Sequence, residues 1–523
     1  MKSIFYLHRF SFVAIFALLI LPDRDCFSQP TPLIVNFEIV SDSAAVGDGG
    51  NAWGGHQCRI VRTKDGVFTA YTVEGGGYLS REWRVAQRSE DGWNIIARGV
   101  AGREPVNLLA APDGKLYIIG WPNGEARMWS LTQAGGSWSA QDKNIRGQLS
   151  GNWPYNSAGI DSLGDICVVS SEGGGEPGGA FLWSYYNAAQ QHWTYRKTEL
   201  PFRYCYTYVF PLVQGVFSLV STRDVRWEAL NYTKPENAFD YVFNAFRYWH
   251  KAAADAPLTS MAFVEEPPTS EFPNVVCNAQ QDAYIDTGGN VHVLYVKAGS
   301  TTGGLPQHRH AVFSPQGETI FDGQLPLGAG WYSRIFQDSK ERFFLLGDAG
   351  LIYLLADDGF TPVDSIQFDL QGYHVEYSGY GISVPRTGTP LSDVLDVVFP
   401  ANGGKDWIYF SLPLDDLFLG SLIEKNGRAL VDQFRLFQNY PNPFNAETII
   451  RYSLKRQSRI NIKVYNGSGQ KIATLIDGNH PAGEFSIKWN GENDQGQTVA
   501  TGIYFVRFQA GNFAALKKAL FIR

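Results

Sequence analysis

The chain has 523 residues and a formal net charge of −7, with 18% charged and 14% aromatic side chains. This balance excludes the basic footprint of a nucleic-acid-binding protein, and the aromatic share suits a β-rich core. Length alone allows two or three domains.

Lys2, His8 and Arg9 precede an apolar run, Phe12–Leu21, and Cys26-Phe-Ser28 offers small residues for cleavage. Residues 1–28 therefore have the layout of a secretion signal. The run is too short for a resident membrane helix, and no other long apolar run follows. The mature chain is expected to be exported and soluble, with no transmembrane segment. Arg24-Asp25 argue against lipid attachment at Cys26.

From residue 29 to about 423 one pattern repeats. Arg62–Tyr71 carries Asp65-Gly66 between two β-rich runs, a strong hairpin signal because both central residues of the turn need positive φ. The pattern returns at Asp113-Gly114, at Asp161 with Gly164, at Gly215, at Asp286 with Gly289, at Asp338, and in degenerate form at Arg386-Thr-Gly388. The turn glycines recur about every fifty residues, with one stretched interval after Gly215. Each copy fills out to four strands. In the first these are Gln57–Thr63, Val67–Val73, Trp83–Arg88 and Trp93–Gly99, with a loop at Glu74–Ser80. The expected fold is all-β: a seven-bladed β-propeller, with six blades as the alternative because the last copy is weak. The segment before Ser43 is expected to close the ring or pack along one edge.

The fourth copy is stretched by Arg226–Val242, where Thr233-Lys-Pro235-Glu236 reads as a capped helix start running to about Tyr241. Cys58, Cys167, Cys205 and Cys277 are far apart and on predicted strands, so free buried thiols are expected. They lack metal-ligand spacing, and no cofactor or metal is called for.

A polar stretch at 424–433 reads as a linker. Beyond it, short alternating runs at Ile449–Ser453, Ile460–Tyr465, Lys471–Ile476, Glu484–Trp489, Ile503–Gln509 and Lys518–Phe521 imply a small immunoglobulin-like β-sandwich over 434–523. This tail carries Asn439-Tyr440-Pro441-Asn442-Pro443-Phe444-Asn445, Val464–Leu475, Trp489-Asn-Gly491, Thr501-Gly-Ile-Tyr504 and a basic end at Lys517-Lys518. It resembles the type A C-terminal sorting domain of the Bacteroidetes type IX secretion system, although an Asp usual in that family is missing near Tyr465-Asn466. The resemblance implies export across the outer membrane, with the secretion machinery and its sortase-like peptidase as partners and the cell surface or medium as destination.

In a propeller, the starts of the inner strands and the loops between second and third strands emerge on one face, opposite the hairpins. That face is expected to gather His56, Arg103, Glu104, Tyr155, Arg203, Tyr206, Gln280 and Arg334, together with His308 and His310 from a loop. Trp53, Trp121, Trp153 and Trp331 near it offer stacking platforms for sugars. Arg59-Ile60-Val61 ahead of the first hairpin, and Ser89-Glu-Asp91-Gly92-Trp93, resemble the BNR or sialidase-like superfamily. The sialidase set of three arginines and a tyrosine nucleophile cannot be assembled. The repeats also resemble the architecture of ulvan-lyase-like polysaccharide lyases, which implies a cation on a uronate carboxylate and a His or Tyr as base or acid. The candidate catalytic residues are His56, Tyr155, Tyr206 and His308. The candidate substrate-binding residues are Arg59, Arg103, Gln280 and Arg334. An acidic extracellular glycan is the expected partner, bound or acted upon.

Overall fold

A computed structural model of the chain describes residues 32–522 apart from 48, 78–79, 152, 235, 237–238, 267–278, 299–305, 326–332, 348–349, 371–381, 387–389, 419–433, 437–438, 440–441, 443, 455–456, 481–482 and 512. The secretion signal, the linker, Cys277, Trp331, Tyr440, Pro441, Pro443 and the side chain of Gln280 lie outside the described residues.

The described chain is almost entirely β. Six antiparallel meanders of four strands follow one another, with inner strands Ile60–Thr63, Asn107–Ala110, Ser157–Ile160, Tyr204–Pro211, Ala279–Ile285 and Arg334–Gln337. A seventh sheet pairs Val394–Ala401 with Asp406–Pro413, and Ser383 adds an inner bridge to Val398. The amino-terminal segment is stitched across two sheets. Leu33–Ile34 pairs in parallel with the outer strand Pro362–Asp369 of the sixth, and Phe37–Ser41 completes the seventh beside Asp406–Pro413. The expectation that this segment closes the ring holds at both pairings.

Side chains bury themselves between neighbouring sheets all the way round. One apolar cluster joins the first three sheets, and others join the third to the fourth, the fourth to the fifth, the fifth to the sixth and the sixth to the seventh. A last cluster, with Ile60 and Tyr71 against Val398, Trp407 and Tyr409, returns from the seventh sheet to the first. Polar bonds reinforce that seam. Arg62 forks onto Asp396 at 2.6 and 2.7 Å, the bidentate geometry of the strongest ion pairs. The Trp407 indole donates to Thr69 Oγ1 at 3.0 Å. Between the first two sheets, Trp83 is fully buried 5.2 Å from Trp129. Gly99 permits this, because a Cβ there would sit 2.6 Å from the Trp83 ring. The ring is a propeller-type arrangement of small sheets.

Two local expectations are corrected. Glu74–Ser80 is not an open loop, because Glu74 pairs with Arg81 and the two strands run on to Gly77 and from Ser80. In the fourth-sheet insertion, Tyr241–Val242 is a strand against Val225–Arg226, and the helical turn lies earlier, at Trp227–Leu230. Trp227 anchors that turn by donating to Phe239 O at 2.8 Å, while Pro235 and residues 237–238, where the capped helix start was expected, lie outside the described residues. Cys58, Cys167 and Cys205 are free and buried, and burial pushes the Cys58 thiol up to about 11.

The carboxyl-terminal strands form two further sheets. One orders Arg435–Leu436, Thr448–Leu454 and Gly483–Trp489, and the other orders Lys471–His480, Ser458–Asn466, Gly502–Ala510 and Phe513–Phe521. They enclose their own core of Ile450, Tyr452, Ile462, Trp489, Val506 and Phe508. Among the described residues, no helix is long and apolar enough to cross a membrane.

Candidate functional site

The residues just before the inner strands of the first four sheets meet at the end of the ring away from the hairpins. Trp53 is the hub. Its ring lies 5.5 Å from Trp153, 6.4 Å from Tyr155 and 5.4 Å from Tyr206. Tyr155 meets Tyr206 edge-on at 5.5 Å. Phe243, from the fourth-sheet insertion, stands 6.0 Å from Tyr206. All five rings are partly exposed, so together they make an aromatic floor rather than a core.

Cations border this floor. The Arg103 guanidinium lies 3.5 Å from the centre of the Trp153 ring, close enough for a cation–π contact. Arg203 sits between Tyr155 and Tyr241, at 5.4 and 5.0 Å, and is held by Asp224 at 2.7 Å.

The two tyrosines are backbone outliers. Tyr155 has φ 47° and Tyr206 φ 59°, the only aromatic residues with positive φ among those described. A bulky side chain in this region is strained and persists only where its surroundings hold it. For Tyr155 the holder is Glu104, whose buried carboxylate accepts the N–H groups of Tyr155 and Asn156, both at 2.9 Å, and the Asn156 amide at 2.6 Å. Burial pushes the Glu104 carboxyl up to about 7, against the pull of those hydrogen bonds. Tyr206 sits in a bulge where the inner strand slips register between Cys205 and Tyr208.

His56 packs edge-on to Tyr206 at 5.7 Å. Its Nε2 meets the Asn156 carbonyl at 3.2 Å. A carbonyl only accepts, so Nε2 carries the proton and Nδ1 keeps its lone pair. Burial, then the charges of Arg59 and Arg334, bring the imidazole down to about 3. His56 is thus neutral at any ordinary pH, an acceptor or weak base beside the tyrosine pair.

Other expected site residues are elsewhere. Arg59 is fully buried, donating to Asn51 O at 2.6 Å and lying 4.7 Å from the Trp407 ring. Arg334 is equally buried, with its donors on the carbonyls of Ile382, Gln281 and Ser333. Both are interior braces rather than surface cations, a correction to their reading as substrate ligands. His308 lies in the fifth sheet opposite Val296 and is not among the rings around Trp53. His310 turns inward to His292, 3.0 Å away, which in turn meets Asp286 at 3.3 Å. Trp121 is buried filler, its indole donating to Leu149 O at 2.9 Å. Phe243 was missed as a residue of this face, and Glu104 and Arg203 were expected on it without a role. Glu104 and Arg203 stood at predicted strand starts, but nothing local distinguished them from rim charges. A carboxylate trio, Asp338, Asp393 and Asp415, is close-set, but Arg342 and Lys340 bond into it, so two of its three charges are already offset.

In the carboxyl-terminal sandwich, the described part of the Asn439–Asn445 motif brackets the last strand. Asn442 donates to Lys518 O at 3.0 Å and accepts from Leu520 N at 2.7 Å. The Phe444 backbone exchanges bonds with Leu520 and Ile522, while its ring packs 4.9 Å from Phe521. Asn439, buried, donates to Thr448 Oγ1 at 2.9 Å.

The family profile described as FlgD Ig-like domain matches residues 445–512 of the tail. No curated protein matches the chain. Among solved structures, the chain is similar to polysaccharide lyase Uly1, with 12% identity and a TM-score of 0.48 over 74% of this chain and 100% of that one. It is also similar to an α-L-arabinanase of Penicillium chrysogenum, with 8% identity and a TM-score of 0.35 over 59% and 94%. The Dos1 propeller is similar at 10% identity, with a TM-score of 0.39 over 73% and 94%.

Proposed function

We propose that this chain is an exported propeller of seven blades whose face around Trp53 binds acidic glycans. The observation that carries the reading is the pair of adjacent tyrosines at positive φ, Tyr155 and Tyr206, within a partly exposed aromatic floor. Strain of this kind gathers at binding and catalytic sites. Sugar rings stack on such floors, and Arg103 beside Trp153 offers a cation to a sugar carboxylate. A second reading, turnover by β-elimination, is favoured by His56 and Tyr206 in ring contact. In that step a base takes the proton next to the uronate carboxylate. The glycosidic C–O bond then breaks, the leaving oxygen takes up a proton, and an unsaturated uronate remains. Incubating the full chain with uronate-containing polysaccharides distinguishes the two readings. Recognition alone gives binding without ultraviolet absorbance from unsaturated ends, whereas elimination gives both. Absence of binding to every acidic glycan overturns the proposal.

We also propose that the tail directs secretion through a type IX system, to the cell surface or medium by way of the periplasm. The support is its sequence motif and the bracketing of the final strand by Asn442 and Phe444. Deleting residues 434–523 is expected to leave the rest of the chain folded but retained in the periplasm, as read by fractionation and surface protease digestion. Surface delivery of the truncated protein would contradict it.

A further inference from the structure

On the hairpin side of the ring, well apart in the fold from the Trp53 floor, a cleft of about 510 Å³ opens between the third and fourth sheets. This is within the ~300–1,000 Å³ range of small-molecule sites. Trp183 and Tyr185 wall one side, and Gly215, Lys251 and Ala254 the other. Lys251 ends the strand Ala245–Lys251 and is only 2% exposed. Its ammonium donates to Gly215 O at 3.2 Å and to Ala253 O. No carboxylate lies within ion-pair distance of it among the described residues. Asp255 acts on it only from farther away, Arg196 opposes its charge, and burial holds its pKa below the usual lysine value.

A buried ammonium is ordinarily paired with an anion. Here two of its three protons go to carbonyls, and the ammonium also lies 5.8 Å from the Trp183 ring and 5.9 Å from that of Phe217, so what its charge lacks is an anion. The facing wall is rigid. The Tyr185 hydroxyl donates to Asp165 at 3.0 Å and accepts from Gly215 N at 2.9 Å. The Trp183 indole is fixed on Thr198 at 3.1 Å. Asp165 also lines the cleft, but its second oxygen is taken by Ala188 N at 2.8 Å, so neither carboxylate oxygen lacks a donor. Gln190 and Gln214 stand exposed on the rim.

We propose that this cleft is a second saccharide site, taking a sugar unit that bears a carboxylate or sulfate. Lys251 holds the anionic group, Trp183 and Tyr185 flank the ring, and the rim carboxamides meet its hydroxyls. The site does not depend on the function assigned to the Trp53 face.

The test titrates the full chain with galacturonate, galactose 6-sulfate and neutral galactose by calorimetry and ligand-observed NMR. Galacturonate or the sulfate is expected to bind at least tenfold more tightly than galactose, and which of the two binds identifies the anion. Lys251→Met should remove at least tenfold of that affinity, and Lys251→Arg should keep most of it. Ala189→Trp, at an exposed rim position lining the cleft, should block binding without touching the ammonium, which covers a failure of the Lys251 variants to fold. In an Arg103→Ala background, which strips the Trp53 face of its cation, the binding that remains is expected to be abolished by Lys251→Met or Ala189→Trp. Equal binding of the charged and neutral sugars, no binding of either anion, or loss on Arg103→Ala but not on Lys251→Met or Ala189→Trp would overturn the proposal. The last outcome would leave the Trp53 face standing.

Discussion

Replacing Asp282 with alanine is expected to destabilise the ring by about 3–5 kcal/mol, the range for removing one partner of a buried ion pair. Asp282 is fully buried on the inner strand of the fifth sheet. One oxygen accepts from the Arg386 guanidinium and the other from Ile335 N at 2.9 Å. Arg386 also donates to Ile335 O at 3.2 Å, so a single carboxylate ties the fifth and sixth sheets to the inner segment of the seventh. Its loss strands a guanidinium in a site that burial makes costly and leaves a backbone N–H without its acceptor. The double variant Asp282→Leu, Arg386→Met should recover much of the loss, because it removes the charge along with its partner. Chemical denaturation followed by near-ultraviolet circular dichroism reads both. A cost below about 1 kcal/mol for Asp282→Ala would mean that apolar packing alone holds this seam, since that is the scale of an ordinary hydrogen bond.

The repeat was legible because its signal is local turn chemistry. Gly66, Gly114, Gly164, Gly215 and Gly289 all take positive φ, between 79° and 123°, where a side chain would be strained. The sixth copy carries no turn glycine, because Glu341, at φ 62°, takes that conformation there. The parallel pairing of Leu33–Ile34 with Phe368–Asp369 left no trace in the sequence. A two-residue strand has no periodicity, and its partner is more than three hundred residues away.

The site was half legible for a related reason. Strand order fixes which end of the ring a residue reaches, and this was enough to bring His56, Arg103, Tyr155 and Tyr206 to one face. It does not fix how far a long side chain swings inward. Arg59 and Arg334 looked like Arg103 in the sequence, but carbonyls at Asn51, Gln281 and Ile382 draw them into the interior. The strain at Tyr155 was invisible as well, since its cause is Glu104, fifty-one residues earlier.

The largest functional effect is expected at Arg103 and Trp153. If the Trp53 face binds uronates, Arg103→Ala removes a charge-assisted contact and should weaken binding of a uronate oligosaccharide by about 1.5–3 kcal/mol. Trp153→Ala removes a stacking surface and the ring under the Arg103 guanidinium, at 3.5 Å. Its effect should be of the same order, and the double variant should cost less than the sum because the two residues share one contact. Against a neutral oligosaccharide, Trp153→Ala should still weaken binding, while Arg103→Ala should change it little. His56→Gln should leave affinity nearly unaltered, because the imidazole lies beneath the floor, and should slow any elimination through its ring contact with Tyr206. Glu104→Ala should weaken uronate binding without touching the sugar, by releasing the Tyr155 and Asn156 backbone from the conformation the floor requires. Calorimetry with matched acidic and neutral oligosaccharides separates these effects. Arg103→Ala and Trp153→Ala proteins that bind the acidic chain within twofold of the parent would show that the Trp53 cluster is packing and that the glycan face lies elsewhere.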